Sequence, residues 1–284
     1  MSNTAGTLYV VATPIGNLED ISARALRVLA EVDLIAAEDT RHSGRLLSHY
    51  GIDTPLSSLH EHNEPAKVPG LLRRLQAGER LALISDAGTP LVSDPGYRLV
   101  SAARDAGLAV TPVPGASSIT AALSVAGLPT DRFCFEGFLP PKAAARQRRL
   151  QALVQEPRSL VFLESSHRIQ GALDDLLAVF GAERPAALAR ELTKFYETVR
   201  RAPLGELRDW LLAEPEQRKG EFVLIVQGAP EAERQADEEE ARRVMALLLP
   251  LLPVKKAAQA AAGITGLARN RLYELGLELQ REQG

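Results

Sequence analysis

Three short segments concentrate the side chains able to do chemistry. Glu38-Asp39-Thr40-Arg41-His42 sets five polar residues directly after the apolar run ending at Ala37, two of them carboxylates. A carboxylate there can accept a proton, although an N-cap with a surface ion pair is the plainer role for Asp39 and Arg41. Arg190-Glu191-Leu192-Thr193-Lys194 groups a guanidinium, a carboxylate and an amine. Only six of the 33 basic residues are lysine, which makes Lys194 distinctive. A lysine in a cleft binds phosphate, or acts as a base when its pKa is depressed. The third segment, Ser85-Asp86-Ala87-Gly88-Thr89-Pro90, suits a tight turn that brings backbone close to a ligand. Asp86 there accepts from hydroxyl or amine donors.

These segments need elements to hold them. Leu8–Ala12, Asp33–Ala37, Leu81–Ser85 and Leu108–Pro112 read as buried strands. Helical spacing recurs from Ile21 to Leu29, over Gly96–Ala106 and over Ser117–Ala126. Alternating strands and helices predict a parallel or mixed sheet flanked by helices. Four strand-to-loop junctions, at 13–17, 38–44, 85–95 and 112–118, then collect at the carboxyl edge, where open α/β sheets bind ligands. Thr13-Pro14-Ile15-Gly16-Asn17 and Pro114-Gly115-Ala116-Ser117-Ser118 join the site on that ground. Each alone is only a turn.

A proline-containing basic break follows at 139–149, and residues 159–226 read as a second α/β unit whose topology the pattern leaves open. Residues 228–236 form a polar linker, and the chain is helical from Asp237. The division expected is 1–118, 119–230 and 237–284.

Several function classes are excluded or disfavoured. No G-x-x-x-x-G-K-[ST] and no G-x-G-x-x-G after a strand is present, so standard nucleotide sites are unsupported. His60 and His62 alternate in a polar segment, a weak metal signal, and no metal is expected. Ser165-Ser166-His167 lacks a nucleophile elbow. One cysteine, Cys134, rules out a disulfide framework and a Cys-pair zinc site. The net charge is −3 over 284 residues, so nucleic-acid binding has to be local. MSNTAGTLYVV has no basic head and long apolar run, and no stretch fits a membrane span, so a cytoplasmic protein is expected. The excess of arginine over lysine fits either genomic composition or phosphate binding.

LYVVATPIGNLEDIS, AAEDTRHSGRLL, LISDAGTPLVSDPG, PVPGASS, FEGFLP, ESSHR, ARELTK and KGEFVLIV occur in this order. Together they resemble the ribosomal-RNA-modifying branch of the tetrapyrrole methylase superfamily, over about Leu8 to Val226 and into the helical tail. The resemblance implies two α/β domains with the cofactor in the cleft between them, a small helix-turn-helix-like tail, and a homodimer. It implies S-adenosylmethionine-dependent 2′-O-methylation of a cytidine ribose in the decoding region of 16S ribosomal RNA, as free RNA or in the 30S subunit. The superfamily's first loop, acidic loop and P-G-x-S-S pattern carry over as cofactor-binding residues. They fall on Pro14, Ile15 and Gly16; on Asp86, Gly88, Thr89 and Pro90; and on Pro114, Gly115, Ser117 and Ser118. Leu163, Glu164, Leu192, Phe222 and Val223 sit where the superfamily lines the adenine and methionine pocket.

In-line methyl transfer needs neither metal nor covalent intermediate, but a ribose hydroxyl benefits from a base. Glu38, Asp39 and Lys194 are the candidate catalytic residues. For RNA, Arg41 joins a basic loop, Lys142, Arg146, Arg148 and Arg149, and the tail residues Lys255, Lys256, Arg269 and Arg271. Those tail residues flank a helix–turn–helix shape in which Ala257, Ala260 and Ala261 share one side. Two alternatives stay open: a precorrin-type tetrapyrrole methyltransferase, and a non-catalytic RNA-binding or ribosome-assembly module.

Overall fold

The computed structural model describes residues 6–282, the side chains of 231–237 and 281–282 excepted. Strands β1 (Thr7–Val11), β2 (Leu34–Ala37), β3 (Leu56–Ser58), β4 (Leu81–Ile84) and β5 (Ala109–Val113) form a parallel sheet, ordered β3-β2-β4-β1-β5. β2 and β4 are buried throughout because helices cover both faces. Alternation sorts their side chains. Ile35, Ala37, Ala82 and Ile84 pack on helices α1 (Ala23–Glu31) and α2 (Thr40–His49). Leu34, Ala36, Leu81 and Leu83 pack on α3 (Glu64–Gln76) and α4 (Tyr97–Asp105).

The next helix, α5 (Ser118–Val125), leaves this sheet and covers another. That second sheet contains β6 (Phe133–Phe138), β7 (Ser159–Ser165), β8 (Pro185–Arg190), β9 (Thr198–Pro203) and β10 (Glu221–Val226), ordered β6-β7-β10-β8-β9. β6 and β7 are parallel and the other pairs antiparallel, which resolves the topology the sequence pattern left open. One face carries Leu160, Phe162, Leu188 and Leu224 against α6 (Ala143–Gln151), α7 (Ile169–Phe180) and α8 (Leu204–Ala213). The other carries Val161, Ala187, Ala189, Val223 and Ile225 against Ile119, Ala122 and Leu123 of α5, with Ile15 and Leu192 joining.

The basic break at 139–149 is corrected: residues 143–151 form α6, and Arg146 is buried beneath it. Its guanidinium meets Asp175 at 2.6 Å and donates to the carbonyls of Gly171 and Pro141. It is therefore not an RNA contact. The linker expected at 228–236 is shorter than expected, because α9 runs from Glu231 to Leu248. Helices α10 (Val254–Thr265) and α11 (Arg269–Glu282) complete the tail, with Gly266 in a left-handed turn between them. Ala257, Ala258 and Ala261, rather than Ala260, face its separate core with Met245, Leu272 and Leu275. No helix among the described residues is long and apolar enough to cross a membrane.

Arg146→Met should destabilise the fold by about 3–5 kcal/mol, because it leaves the Asp175 charge buried without its cationic partner, only the neutral Gln147 amide still donating to it. Arg146→Met with Asp175→Leu should recover most of that loss. Chemical denaturation of the two variants checks both outcomes.

Candidate active site

The loops leaving the parallel sheet are bonded to one another. Thr13 and Gly88 exchange backbone hydrogen bonds at 2.9 and 3.1 Å, and Thr13 Oγ1 donates to the Ser85 carbonyl. Thr89 Oγ1 donates to the Ala116 carbonyl, tying the second loop to the third. A Cβ on Gly115 would stand 3.0 Å from that of Ala12, so the third loop closes against the end of β1. The Asp39 backbone N–H donates to Asp86 Oδ1 at 3.0 Å and draws in the loop after β2.

This edge faces the ends of β7, β8 and β10 across a cavity of about 500 Å³, within the range of small-molecule sites. Ile15, Glu38, Asp86, Ser118, Leu163, Glu164, Leu192, Phe222 and Val223 line it, all of them sequence-derived candidates. Pro14, Gly16, Gly88, Thr89, Pro90, Pro114, Gly115 and Ser117 do not line it and belong to the loops that frame it. Sequence reasoning missed Asp94, Phe138, Ser165, Ser166 and Glu221, which also line the cavity. For Asp94 a signal existed: Ser85-Asp86-Ala87-Gly88 returns as Ser93-Asp94-Pro95-Gly96. Leu91 and Ser93, beside it, hold left-handed backbone with φ of 73° and 66°. Such strain gathers at functional sites.

The two walls differ in chemistry. On the first domain, Glu38, Asp86 and Asp94 form an acidic wall. Burial, reinforced by the Asp86 charge, raises Glu38 above the ordinary carboxylate range. Burial and repulsion from Glu38 and Asp86 outweigh a Ser85 hydrogen bond and push Asp94 up to about 6. Opposite stand Leu163, Ala189, Leu192, Phe222 and Val223, with two carboxylates among them, Glu164 and Glu221. Glu164 is only 2% exposed; its Oε1 accepts from the Ser165 N–H and lies 3.1 Å from Arg168 Nε. Its Oε2 is buried with no hydrogen-bond partner, and burial raises its pKa.

The three catalytic candidates separate. Asp39 caps α2 and grips Arg41, whose hydrogen bonds hold it far below the carboxylate range, so it is a poor proton acceptor. Burial pulls the Lys194 ammonium down, but hydrogen bonds to Glu221 and Glu191 prevail and hold it above the lysine value. A neutral lysine base is inconsistent with that environment. The Lys194 stem instead crosses to the first loop, where a Cβ on Gly16 would stand 2.4 Å from its Cγ. Glu38 remains the carboxylate of the three that lines the cavity.

Residues 7–208 match the family described as Tetrapyrrole (Corrin/Porphyrin) Methylases, and residues 235–280 match the RsmI C-terminal HTH domain. The chain belongs to the tetrapyrrole methylase family. It is 58% identical to the Pseudomonas aeruginosa protein named Ribosomal RNA small subunit methyltransferase I, covering 98% of this chain and 99% of that one. Among solved structures, uroporphyrin-III-C-methyltransferase from Thermus thermophilus superposes with a TM-score of 0.55 at 26% identity, over 78% of this chain and 94% of that one. A second structure of a Thermus thermophilus uroporphyrin-III C-methyl transferase, complexed with S-adenyl homocysteine, shares the fold at 21% identity and a TM-score of 0.56, over 78% and 97%.

The cationic candidates of this methylase lie outside the cavity wall. Arg41 is exposed but paired to Asp39. Lys142 and Arg148 project from the start and middle of α6, whereas Arg149 pairs with Glu136. In the tail Lys255, Lys256 and Arg269 are exposed, and Arg271 pairs with Glu238.

Asp94→Asn should stabilise this methylase at pH 8, on the order of 1 kcal/mol once solvent screening is allowed for. The sign follows from linkage. A carboxyl raised from 3.8 to about 6 favours the fold when protonated, and that contribution is lost as pH rises through 6. Below pH 4 the variant and the parent should melt alike. Thermal melts across this range check the sign.

Proposed function

We propose that this methylase transfers a methyl group from S-adenosylmethionine to the 2′-hydroxyl of a cytidine ribose in the decoding region of 16S ribosomal RNA. The observation that carries the reading is the two-sided cleft, acidic on the first-domain wall, with Leu163, Ala189, Leu192, Phe222 and Val223 giving the second-domain wall an apolar stretch between Glu164 and Glu221. Such walls suit a ligand with an aromatic base at one end and hydroxyl or ammonium donors at the other. Bound there, S-adenosylmethionine supplies a methyl group on a positively charged sulfur, open to in-line displacement by an oxygen nucleophile. Leu163, Leu192, Phe222 and Val223 would take its apolar part, and Asp86 its hydroxyl or amine donors. The unmatched Glu164 Oε2 calls for a further N–H or O–H donor, since a buried lone oxygen costs about 1–3 kcal/mol.

Glu38 is the proton acceptor in this reading. Its raised pKa makes it a stronger base than a surface glutamate, and its place on the cavity wall supports that role. Lys194 ties the two walls together through Gly16, Glu191 and Glu221, which favours alignment of the reactants. The name of the 58% identical relative supports small-subunit ribosomal RNA as the substrate, and the helical tail favours RNA over a free tetrapyrrole. Action in the cytoplasm, on 16S RNA or the 30S subunit and as a homodimer, completes the proposal.

Single-turnover methylation of unmodified 30S subunits tests the assignment. Glu38→Gln should slow the chemical step by about 100-fold or more, Asp39→Asn by only a few-fold. Parent rates for Glu38→Gln would remove it as the base. Deleting residues 237–284 should weaken RNA binding and flatten its salt dependence, by about 0.9 in the log–log slope per lost phosphate contact. Affinity for S-adenosylmethionine should be unaffected, as calorimetry can check.

A further inference from the structure

The hairpin loop 191–197 between β8 and β9 carries a feature that neither the fold nor the chemistry of the cleft requires. Phe195 is 93% exposed and Tyr196 65% exposed, and Phe195 is the most exposed large apolar side chain among the described residues. Their rings stand edge to face, with centroids 4.9 Å apart and planes at 89°. Folding alone places such a side chain inside; a phenyl ring left in water has yet to find its partner.

A slack loop would explain the exposure, but this loop is braced. The buried Arg190 guanidinium donates to the Tyr196 carbonyl at 2.9 Å and to the carbonyls of Lys219 and Glu216. The Thr193 N–H donates to Glu197 Oε2 at 2.6 Å, and the Lys194 and Glu197 N–H groups donate to the carbonyls of Glu191 and Lys194. Glu191 and Thr193 hold left-handed backbone, with φ of 50° and 66°. A strained, tied loop that still presents two rings to solvent is organised in advance for a ligand.

Its place says which ligand. Leu192, three residues before Phe195, lines the cavity, and Lys194 reaches across to Gly16 of the facing domain. The aromatic pair does not line the cavity but sits on the same short loop as Leu192 of its wall and next to Lys194, which bridges the two domains. A ribose hydroxyl reaches such a cleft only when its nucleotide is splayed from its neighbours, which then lose their stacking. Resting on the ribosomal RNA reading above, we infer that Phe195 and Tyr196 form a stacking platform for unpaired bases beside the target nucleotide. The platform acts through π-faces and apolar contact. Local charges nearly cancel, Lys194 and Arg190 standing against Glu191, Glu197 and Glu221, so the loop adds little to phosphate binding.

The test compares Phe195→Ala with Tyr196→Ala, singly and together, on unmodified 30S subunits with radiolabelled S-adenosylmethionine. Base–aromatic contacts of this kind change affinity by about 5- to 150-fold per base. The double variant should raise KM for the subunit at least about 10-fold with a smaller change in kcat, and Phe195→Trp should retain parent KM. The salt slope of RNA binding, affinity for S-adenosylmethionine and the sedimentation coefficient should match the parent. Unchanged KM in the double variant would overturn the platform. So would a change in oligomeric state, which would assign the rings to contact between copies of the chain. A parent protein unable to methylate ribosomal RNA would overturn the functional reading and the platform with it, a result visible before any variant is made.

Discussion

Ile15 belongs to the first domain by connection and to the second by packing. It leaves β1 in the first loop, yet its side chain is buried in the apolar layer shared by α5 and the inner face of the second sheet. Gly88 leaves room for it: a Cβ there would stand 3.3 Å from Ile15 Cγ2, and φ at Gly88 is +81°. One side chain thus fixes the distance between the two walls of the cleft. The hydrogen bonds among Thr13, Ser85 and Gly88 then transmit that position to Asp86. Lys194 spans the same gap from the other side, over Gly16. Most of the turn residues, Gly16, Gly88, Thr89 and Gly115 among them, frame the cavity and do not line it.

A cleft held at fixed width concentrates charge that water would otherwise dilute. Glu38 and Asp94 rise together because each is desolvated and each lies in the field of Asp86. The fold opposes this ionisation, so the acidic wall costs stability in the absence of a ligand. That trade is common at sites that later receive donors or cations. Asp39, one residue from Glu38, shows the opposite outcome because Arg41 solvates it. Adjacent carboxylates therefore take different roles from their partners, which no inspection of residue type distinguishes.

What was legible in the sequence follows the same division. The parallel sheet showed through because both its faces are covered, making LIAA and LALI continuous apolar runs. The loops at its carboxyl edge were located by that topology alone. The second sheet was harder, since one parallel and three antiparallel pairings leave no crossover rhythm to read. α3 hid behind Pro69 and Gly70, two helix-breaking residues that packing of Leu71 and Leu75 overrides. α6 reads as a loop in sequence because its residues are mostly arginine and alanine, with no apolar stripe. Burial of Arg146 depends on Asp175, 29 positions away, a pairing that local pattern does not contain.

Arginine usage has a structural explanation beside the two that composition offered. Arg190 satisfies carbonyls of Lys219, Tyr196 and Glu216, and Arg218 those of Leu211 and Leu212. Arg146 joins a carboxylate and two carbonyls. Each exploits a planar fork of donors that an ammonium lacks. The charge left for RNA is correspondingly smaller than a count implies. Of the four cations at 142–149, Arg146 is buried and Arg149 is paired with Glu136. Lys142 and Arg148 on that segment, and Lys255, Lys256 and Arg269 in the tail, have no carboxylate partner among the described residues. Half of the positive charge that the segment 142–149 shows in sequence is thus committed to the fold itself.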